Sequence, residues 1–248
     1  VWVLDNCSTD STQQIVKNYI KKNEYVNLIV NKENLGRIGN INQGLDCFIN
    51  SDFEYIKFLF CGDELVEDSI EIVEKIFLEN AGLSMVNGLY IFNDGLQIRP
   101  EVARYFPEDC RVGVDKLINI GVYPSSATGT FNSVTFSKKG IGKYRANPLF
   151  LGLTMFYNQI LLTNGDIYYT NNVVGIFNLE VHRSFDKQFD YLYRYEYAFV
   201  KMYGLEEAKA LFSKEKYSAI KKNIAIQLVI ECFTIGGLKL FFGPVSYT

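Results

Sequence analysis

Histidine occurs once in these 248 residues, and the five cysteines, at 7, 47, 61, 110 and 232, form no Cys-x-x-Cys pair. A zinc site and a disulfide framework are therefore not expected, and a reducing cytosol suits the thiols best. Proline is scarce at 5 residues, which leaves little material for a Pro-rich linker. No run of 18 or more uncharged apolar residues occurs, so no transmembrane helix is expected. Charge of either sign is not in excess: 25 basic residues against 28 acidic give −3, and nothing global argues for nucleic acid binding. Val1-Trp2-Val3-Leu4 reads as a strand and not as a signal peptide, and no Met precedes it; the expectation is a chain that begins inside a fold.

What is present is core material. Apolar residues make up 48% and aromatics 15%, with 17 Tyr and 19 Phe, enough to build one large domain with an appendage. The first two-thirds alternate in type. Strands are predicted at Val1–Leu4, Val26–Val30, Tyr55–Phe60 and Leu83–Phe92. Helices are predicted at about Ser11 to Lys22, at Ile41 to Ile49, and around Ile70 to Phe77. This rhythm with short connections predicts an α/β fold, a mostly parallel sheet flanked by helices. The middle, Asp94 to Lys143, is Gly-rich and irregular, with two short strands. Ile167–Thr170 and Val173–Phe177 read as two further strands, and the chain from Phe185 as helices. The predicted division is 1–184 and a helical extension over 185–248.

In parallel sheets ligands sit at the carboxyl ends of the strands, so three loops carry the candidate chemistry. Leu4-Asp5-Asn6-Cys7-Ser8-Thr9-Asp10 places a carboxylate and an amide at a strand end, able to bond a nucleobase edge or a ribose hydroxyl; a capped strand–helix turn is the ordinary alternative. Asn31-Lys32-Glu33-Asn34-Leu35-Gly36-Arg37-Ile38-Gly39-Asn40-Ile41-Asn42-Gln43-Gly44-Leu45 offers close backbone approach at glycine, a phosphate partner in Arg37, and amides at Asn40 and Asn42, with an ordinary Gly loop as the alternative. It is neither a Walker loop nor a Rossmann fingerprint. Phe60-Cys61-Gly62-Asp63-Glu64 sets two acids after a buried strand, costly unless water, donors or a cation reach them. A divalent cation there could bridge a diphosphate.

Together and in this order, the three motifs resemble the family 2 glycosyltransferases, nucleotide-sugar-dependent enzymes of the GT-A (Rossmann-like) fold. The match runs through Asp5, Asn6, Ser8, Thr9, Asp10 and Thr12, then Asn34, Gly36, Arg37, Asn40, Asn42 and Gly44, then the strand from Tyr55 to Asp63. The resemblance implies that Asp5, Asn6, Ser8, Arg37, Asn40, Asn42 and Asp63 bind the nucleotide-sugar. It implies a divalent cation, Mn or Mg, on Asp63, Glu64 and His182. The family commonly has more aspartates in the metal loop than this chain, and it begins with one more strand and helix ahead of the segment matching Val1. An inverting member needs a carboxylate base, yet the corresponding stretch Phe150-Leu151-Gly152-Leu153-Thr154-Met155-Phe156 holds no acid. Asp115, Asp166 and Glu180 are the nearby candidates, and His182-Arg183 resembles a segment that faces the diphosphate.

The expectation is a glycosyltransferase moving a sugar to a glycan or lipid-linked acceptor, inverting, in bacterial surface polysaccharide (capsule or lipopolysaccharide) synthesis. The rivals are a non-catalytic nucleotide-sugar or glycan binder and a nucleotidyltransferase on a similar sheet. From Lys209 onward six lysines face two glutamates, a local balance of +4, and Ile224–Leu240 is largely apolar. Peripheral contact with the inner face of the cell membrane is the expectation for this basic, aromatic tail, with packing against the domain as the alternative.

Overall fold

The structure, a computed structural model, describes residues 1–92, 97–98, 108–113, 116, 133–142, 145–146, 166–178, 202, 205–206 and 209–233. In chain order the elements are β1 (Trp2–Asp5), α1 (Thr12–Ile20), β2 (Asn27–Val30), α2 (Gly36–Ile49), β3 (Tyr55–Lys57), β4 (Glu64–Leu65), α3 (Ser69–Glu79) and β5 (Leu83–Phe92). Then follow β6 (Gln97–Ile98), β7 (Cys110–Val112), β8 (Val134–Ser137), α4 (Lys138–Ile141), β9 (Asp166–Phe177), a 3-10 turn (Lys209–Leu211) and α5 (Lys214–Phe233).

β1 and β2 pair in parallel from Trp2↔Asn27 to Asp5↔Val30, with α1 as their crossover. The larger sheet has the order β3-β8-β5-β9-β4, with β6 on β5 and β7 on β9. Here the expectation of a mostly parallel sheet needs correction. β5–β9 is parallel, whereas β3–β8, β5–β8, β4–β9, β5–β6 and β7–β9 are antiparallel. The helix–strand rhythm that signals parallel pairing stops after β5, and the irregular middle returns short strands in the opposite sense.

β5 is the spine. Its first eight residues are buried, as a strand covered on both faces must be. Alternation divides its side chains between two cores. Met85 and Leu89 pack with Ile41, Leu45 and Phe48 of α2. Val86 and Tyr90 pack with Val73, Ile76 and Phe77 of α3. The helical spacing of those triplets is what the sequence displayed.

β1 is not hydrogen-bonded to β3, but the two advance side by side. The Trp2 and Phe53 rings meet at 5.5 Å, edge to face. Further along, Leu4 and Phe58 converge on Gly44 of α2, so closely that an added Cβ would stand 3.2 and 3.1 Å from them. Start meets start and end meets end. β1 therefore runs along the segment 53–58, with Leu4 and Phe58 meeting over α2.

α1 is the least covered helix. It has no buried residue, and Ile15 and Tyr19 line an open apolar groove of about 320 Å³ with Val1, Val3 and Val26. The expected apolar face is thus real but turned to a groove and not to a closed core. Among the described residues no helix is long and apolar enough to cross a membrane. In α5, Ile224 is buried while Ile226 and Val229 are exposed, and Lys221 pairs with Glu206 at 2.8 Å.

The division of labour in α2 and α3 can be measured. Leu45 is wholly buried, so Leu45→Ala should cost about 2–5 kcal/mol in urea unfolding. Leu78, on the outer face of α3 and 73% exposed, should lose less than about 0.5 kcal/mol as Leu78→Ala.

Candidate functional site

Asp5 ends β1 with 3% exposure, a carboxylate pressed into the rim of a sheet. Its Oδ2 accepts the Ser8 backbone N–H at 3.1 Å and the Gln13 Nε2 at 3.0 Å. These hydrogen bonds, those of Ser8 foremost, outweigh burial and hold the carboxyl below its ordinary 3.8. Oδ1 is buried and has no partner among the described residues. A charged, buried oxygen without a donor is expensive, and a ligand N–H or O–H would satisfy it.

Asn6 behaves differently. Its Nδ2 donates to Asn34 Oδ1 at 2.8 Å and to the Gly36 carbonyl at 3.3 Å. Its Oδ1 accepts from the Leu35 N–H at 2.9 Å and from Asn31 Nδ2 at 3.2 Å. Two donors and two lone pairs are all that an amide has, so Asn6 is fully used in clamping the 31–36 loop to the end of β1. Cys7, next to it, takes φ +66°, the left-handed region that costs an L-residue about 1–2 kcal/mol. Ser8 serves through its main chain: its N–H feeds Asp5 and its carbonyl accepts from Gln13 Nε2 at 3.4 Å. Asp10 accepts the Thr12 N–H at 2.9 Å and so supplies the first-turn acceptor of α1, in place of the Ser11 side chain.

Gly36 opens α2 with φ +68°, a conformation natural to glycine, and Arg37 follows, exposed on the helix's first turn. The residue after Asp5 thus holds the residue before Arg37. Asn40 points inward: its Nδ2 donates to the Leu4 carbonyl at 3.3 Å, and its Oδ1 accepts from Asn31 Nδ2 at 2.8 Å. Asn42 forms a reciprocal pair with the main chain of Ala146, N–H to Oδ1 and Nδ2 to carbonyl, both at 2.8 Å. One turn on, Asp46 Oδ1 accepts Arg145 Nε at 2.6 Å. α2 therefore anchors the chain at 145–146 through Asn42.

Asp63 is 7% exposed, and Gly62 before it turns the chain with φ +90°. Its Oδ1 accepts the Asn178 N–H at 3.0 Å, just past the end of β9. Glu64 lies in β4 opposite Ile176 and is exposed, whereas Asp63, just ahead of the strand, is buried. The structure does not bring Glu64 to Asp63. Among the described residues no group of three His, Cys, Asp or Glu could hold a metal ion. The donor set that remains, one hard carboxylate oxygen site, fits Mg or Mn only when diphosphate oxygens and water complete the shell.

Asp166 opens β9 and accepts from Arg111 Nε at 2.6 Å, with Arg111 also bonded to the Ala81 carbonyl at 2.9 Å. It stands at the opposite end of a twelve-residue strand from Asp63's partner, so the structure separates it from Asp63. Asp115, Glu180 and His182 lie outside the described residues, as do the stretch 150–156 and Arg183. Sequence reasoning missed Gln13 and Asn178, and it gave Asn31, the first residue of the second motif, no role of its own. Asn31 carried a signal: it is the polar residue directly after the apolar run Val26–Val30, and it is 9% exposed.

Because Asp5's carboxyl is lowered in the fold, the stability it contributes is complete above its unfolded value and is lost as pH falls through the folded one. Asp5→Asn should therefore flatten the acid limb of the stability curve between about pH 5 and about pH 2, read by urea unfolding at each pH.

With this geometry in hand, comparisons place the chain. The family described as Glycosyl transferase family 2 matches residues 1–127. No curated protein matches the chain. Among solved structures, S. aureus TarS 1-349 superposes with a TM-score of 0.63 at 16% identity, covering 99% of this chain and 66% of that one. A second S. aureus TarS structure gives 0.63 at 17%, covering 99% of this chain and 40% of that one. S. aureus TarS 1-349 in complex with UDP gives 0.60 at 14%, covering 100% and 83%. The chain thus spans less than two thirds of the first two relatives. Likeness at this level speaks for the fold, the GT-A-type α/β arrangement.

Proposed function

We propose, from the premise that this chain belongs to glycosyl transferase family 2, that it transfers a sugar from a nucleoside diphosphate donor to a hydroxyl of a glycan or lipid-linked acceptor. The observation that carries this reading is Asp5: a carboxylate at the end of β1 with one oxygen supplied by Ser8 and Gln13 and the other buried without a partner among the described residues. It suits the N–H of a pyrimidine or the hydroxyl of a ribose. UDP in a TarS structure makes uridine the first nucleoside to test.

The chemistry is a displacement at the anomeric carbon. The bond from that carbon to the acceptor oxygen forms as the bond to the diphosphate oxygen breaks, with inversion, and the hydroxyl proton passes to a base. Arg37 would pair with phosphate oxygens as charge builds on them. Asp63 would hold a divalent cation, which offsets the charge of the departing diphosphate. For the base, Glu180 is favoured over Asp166. Asp166 is paired at the far end of β9, whereas Glu180 is two residues along the chain from Asn178, Asp63's donor. His182 is four residues along, placed in sequence to reach the diphosphate. Asp115 is the remaining alternative. A hexosyl donor, a bacterial surface polysaccharide as product, and peripheral membrane contact through the basic tail from Lys209 onward complete the reading.

A second reading has its own support. Glu64 is exposed while Asp63 is buried, so the acidic loop supplies a single buried carboxylate, as in a relative that binds nucleotide-sugar without turnover.

Calorimetry with UDP, GDP, CDP and dTDP, each with and without manganese, should show one diphosphate binding and binding more tightly with the metal. No binding by any would sink both readings. Binding with neither donor hydrolysis nor transfer, followed by NMR, would select the second. In Asp5→Asn the amide oxygen would keep the Ser8 and Gln13 donors, leaving an NH2 where the partnerless acceptor stood. The favoured diphosphate should then bind at least about tenfold more weakly.

A further inference from the structure

The rim contains a run of side-chain amides longer than the fold requires. It starts at the Leu4 carbonyl on β1, passes through Asn40 to Asn31, then through Asn6 to Asn34 and Gly36. Asn34 Oδ1 closes it by accepting the Gly36 N–H at 2.8 Å. We infer that Asn31 is a positioning residue for nucleotide binding: its one NH2 group aligns Asn6 and Asn40, and through Asn6 it fixes the Gly36 turn that opens α2 ahead of Arg37. The inference rests on the nucleotide-sugar reading above.

Asn31 is where the polarity of the network is decided. Its Nδ2 donates to two amide oxygens, at 2.8 Å on Asn40 and 3.2 Å on Asn6. With those oxygens turned toward Asn31, the Asn40 NH2 must face the Leu4 carbonyl and the Asn6 NH2 must face Asn34 Oδ1 and the Gly36 carbonyl. If Asn6 flipped, its oxygen would oppose two other oxygens and its NH2 would oppose the Leu35 N–H. An acceptor at position 31 would therefore upset every bond out to Gly36.

The fold does not depend on this order. α2 is already held by Ile38, Ile41, Leu45 and Phe48, all buried on its inner face. The network acts instead on three features that crowd the rim: the strained φ +66° of Cys7, the φ +68° of Gly36, and the partnerless oxygen of Asp5. Backbone strain held by an over-determined hydrogen-bond network is how binding loops are fixed before a ligand arrives. Neutral amides do this without adding a charge of their own.

The test uses the full chain and Asn31→Asp, which keeps shape and replaces the NH2 donor with a carboxylate oxygen. UDP binding is followed by calorimetry, turnover by donor hydrolysis or transfer, and folding by circular dichroism and thermal melting. The Kd for UDP and the donor KM should rise about tenfold, with kcat falling far less and the melting temperature moving by no more than about 4 °C. Wild-type-like UDP affinity in a folded Asn31→Asp would overturn the inference alone. A parallel fall in affinity, kcat and melting temperature would overturn it too, because it would mark a residue that only supports the fold. If the wild type itself binds no nucleoside diphosphate, the nucleotide-sugar reading fails, and this inference with it. Should Asn31→Asp not fold, the exposed Asn34→Ala decides the matter. It removes the acceptor shared by Asn6 and Gly36, so a Kd raised at least about threefold supports the inference and an unchanged one overturns it.

Discussion

A carboxylate at the end of a buried strand must be supplied with donors or it will not stay charged. Much of the first fifty residues answers that demand for Asp5. The turn after β1 brings the Ser8 N–H back to Oδ2, and the first turn of α1 brings Gln13 to the same oxygen. The 31–36 loop is strapped across the strand end by Asn6, which leaves Asp5 fixed from one side only. The two oxygens differ: one accepts from Ser8 and Gln13, and the other is buried without a partner among the described residues.

The second buried acid is treated by another route. Asp63 gains the Asn178 N–H because β4, although only two residues long, pairs with the far end of β9. That pairing also divides Asp63 from Glu64, one buried and one exposed. Two adjacent acids in sequence look like a bidentate metal site, whereas in the fold only one of them is buried. The loop's capacity for a cation therefore rests on Asp63 together with ligand oxygens.

The first half of the fold was legible because its signals are periodic. Ile41, Leu45 and Phe48, and Val73, Ile76 and Phe77, repeat at helical spacing and form the two faces of the core. The later sheet was less legible. β9 reads as two strands because Asn171 and Asn172 interrupt its apolar pattern. In the fold, Asp109 accepts from Thr170 Oγ1 at 2.6 Å and from the Asn171 N–H at 2.7 Å, carrying one strand through the irregularity. β4 is too short for any period. At the site, the residue types were legible and their assignments were not. Asp5 and Asp63 are buried at the ends of their segments, and Asn6, Asn40 and Asn42 bond their amides within the chain. An isolated asparagine codon carries no sign of whether its partner is a ligand or a loop; only the tertiary pairing settles it.

The Asp63–Asn178 bond spans 115 residues of sequence. Local contacts can form early in synthesis, but a contact of such range must wait for the later strand. A nascent chain could thus assemble the Asp5 corner once residues 4–40 had emerged, while Asp63 would lack the Asn178 donor until β9 had left the exit tunnel. The two buried carboxylates therefore gain their backbone donors at different times in synthesis.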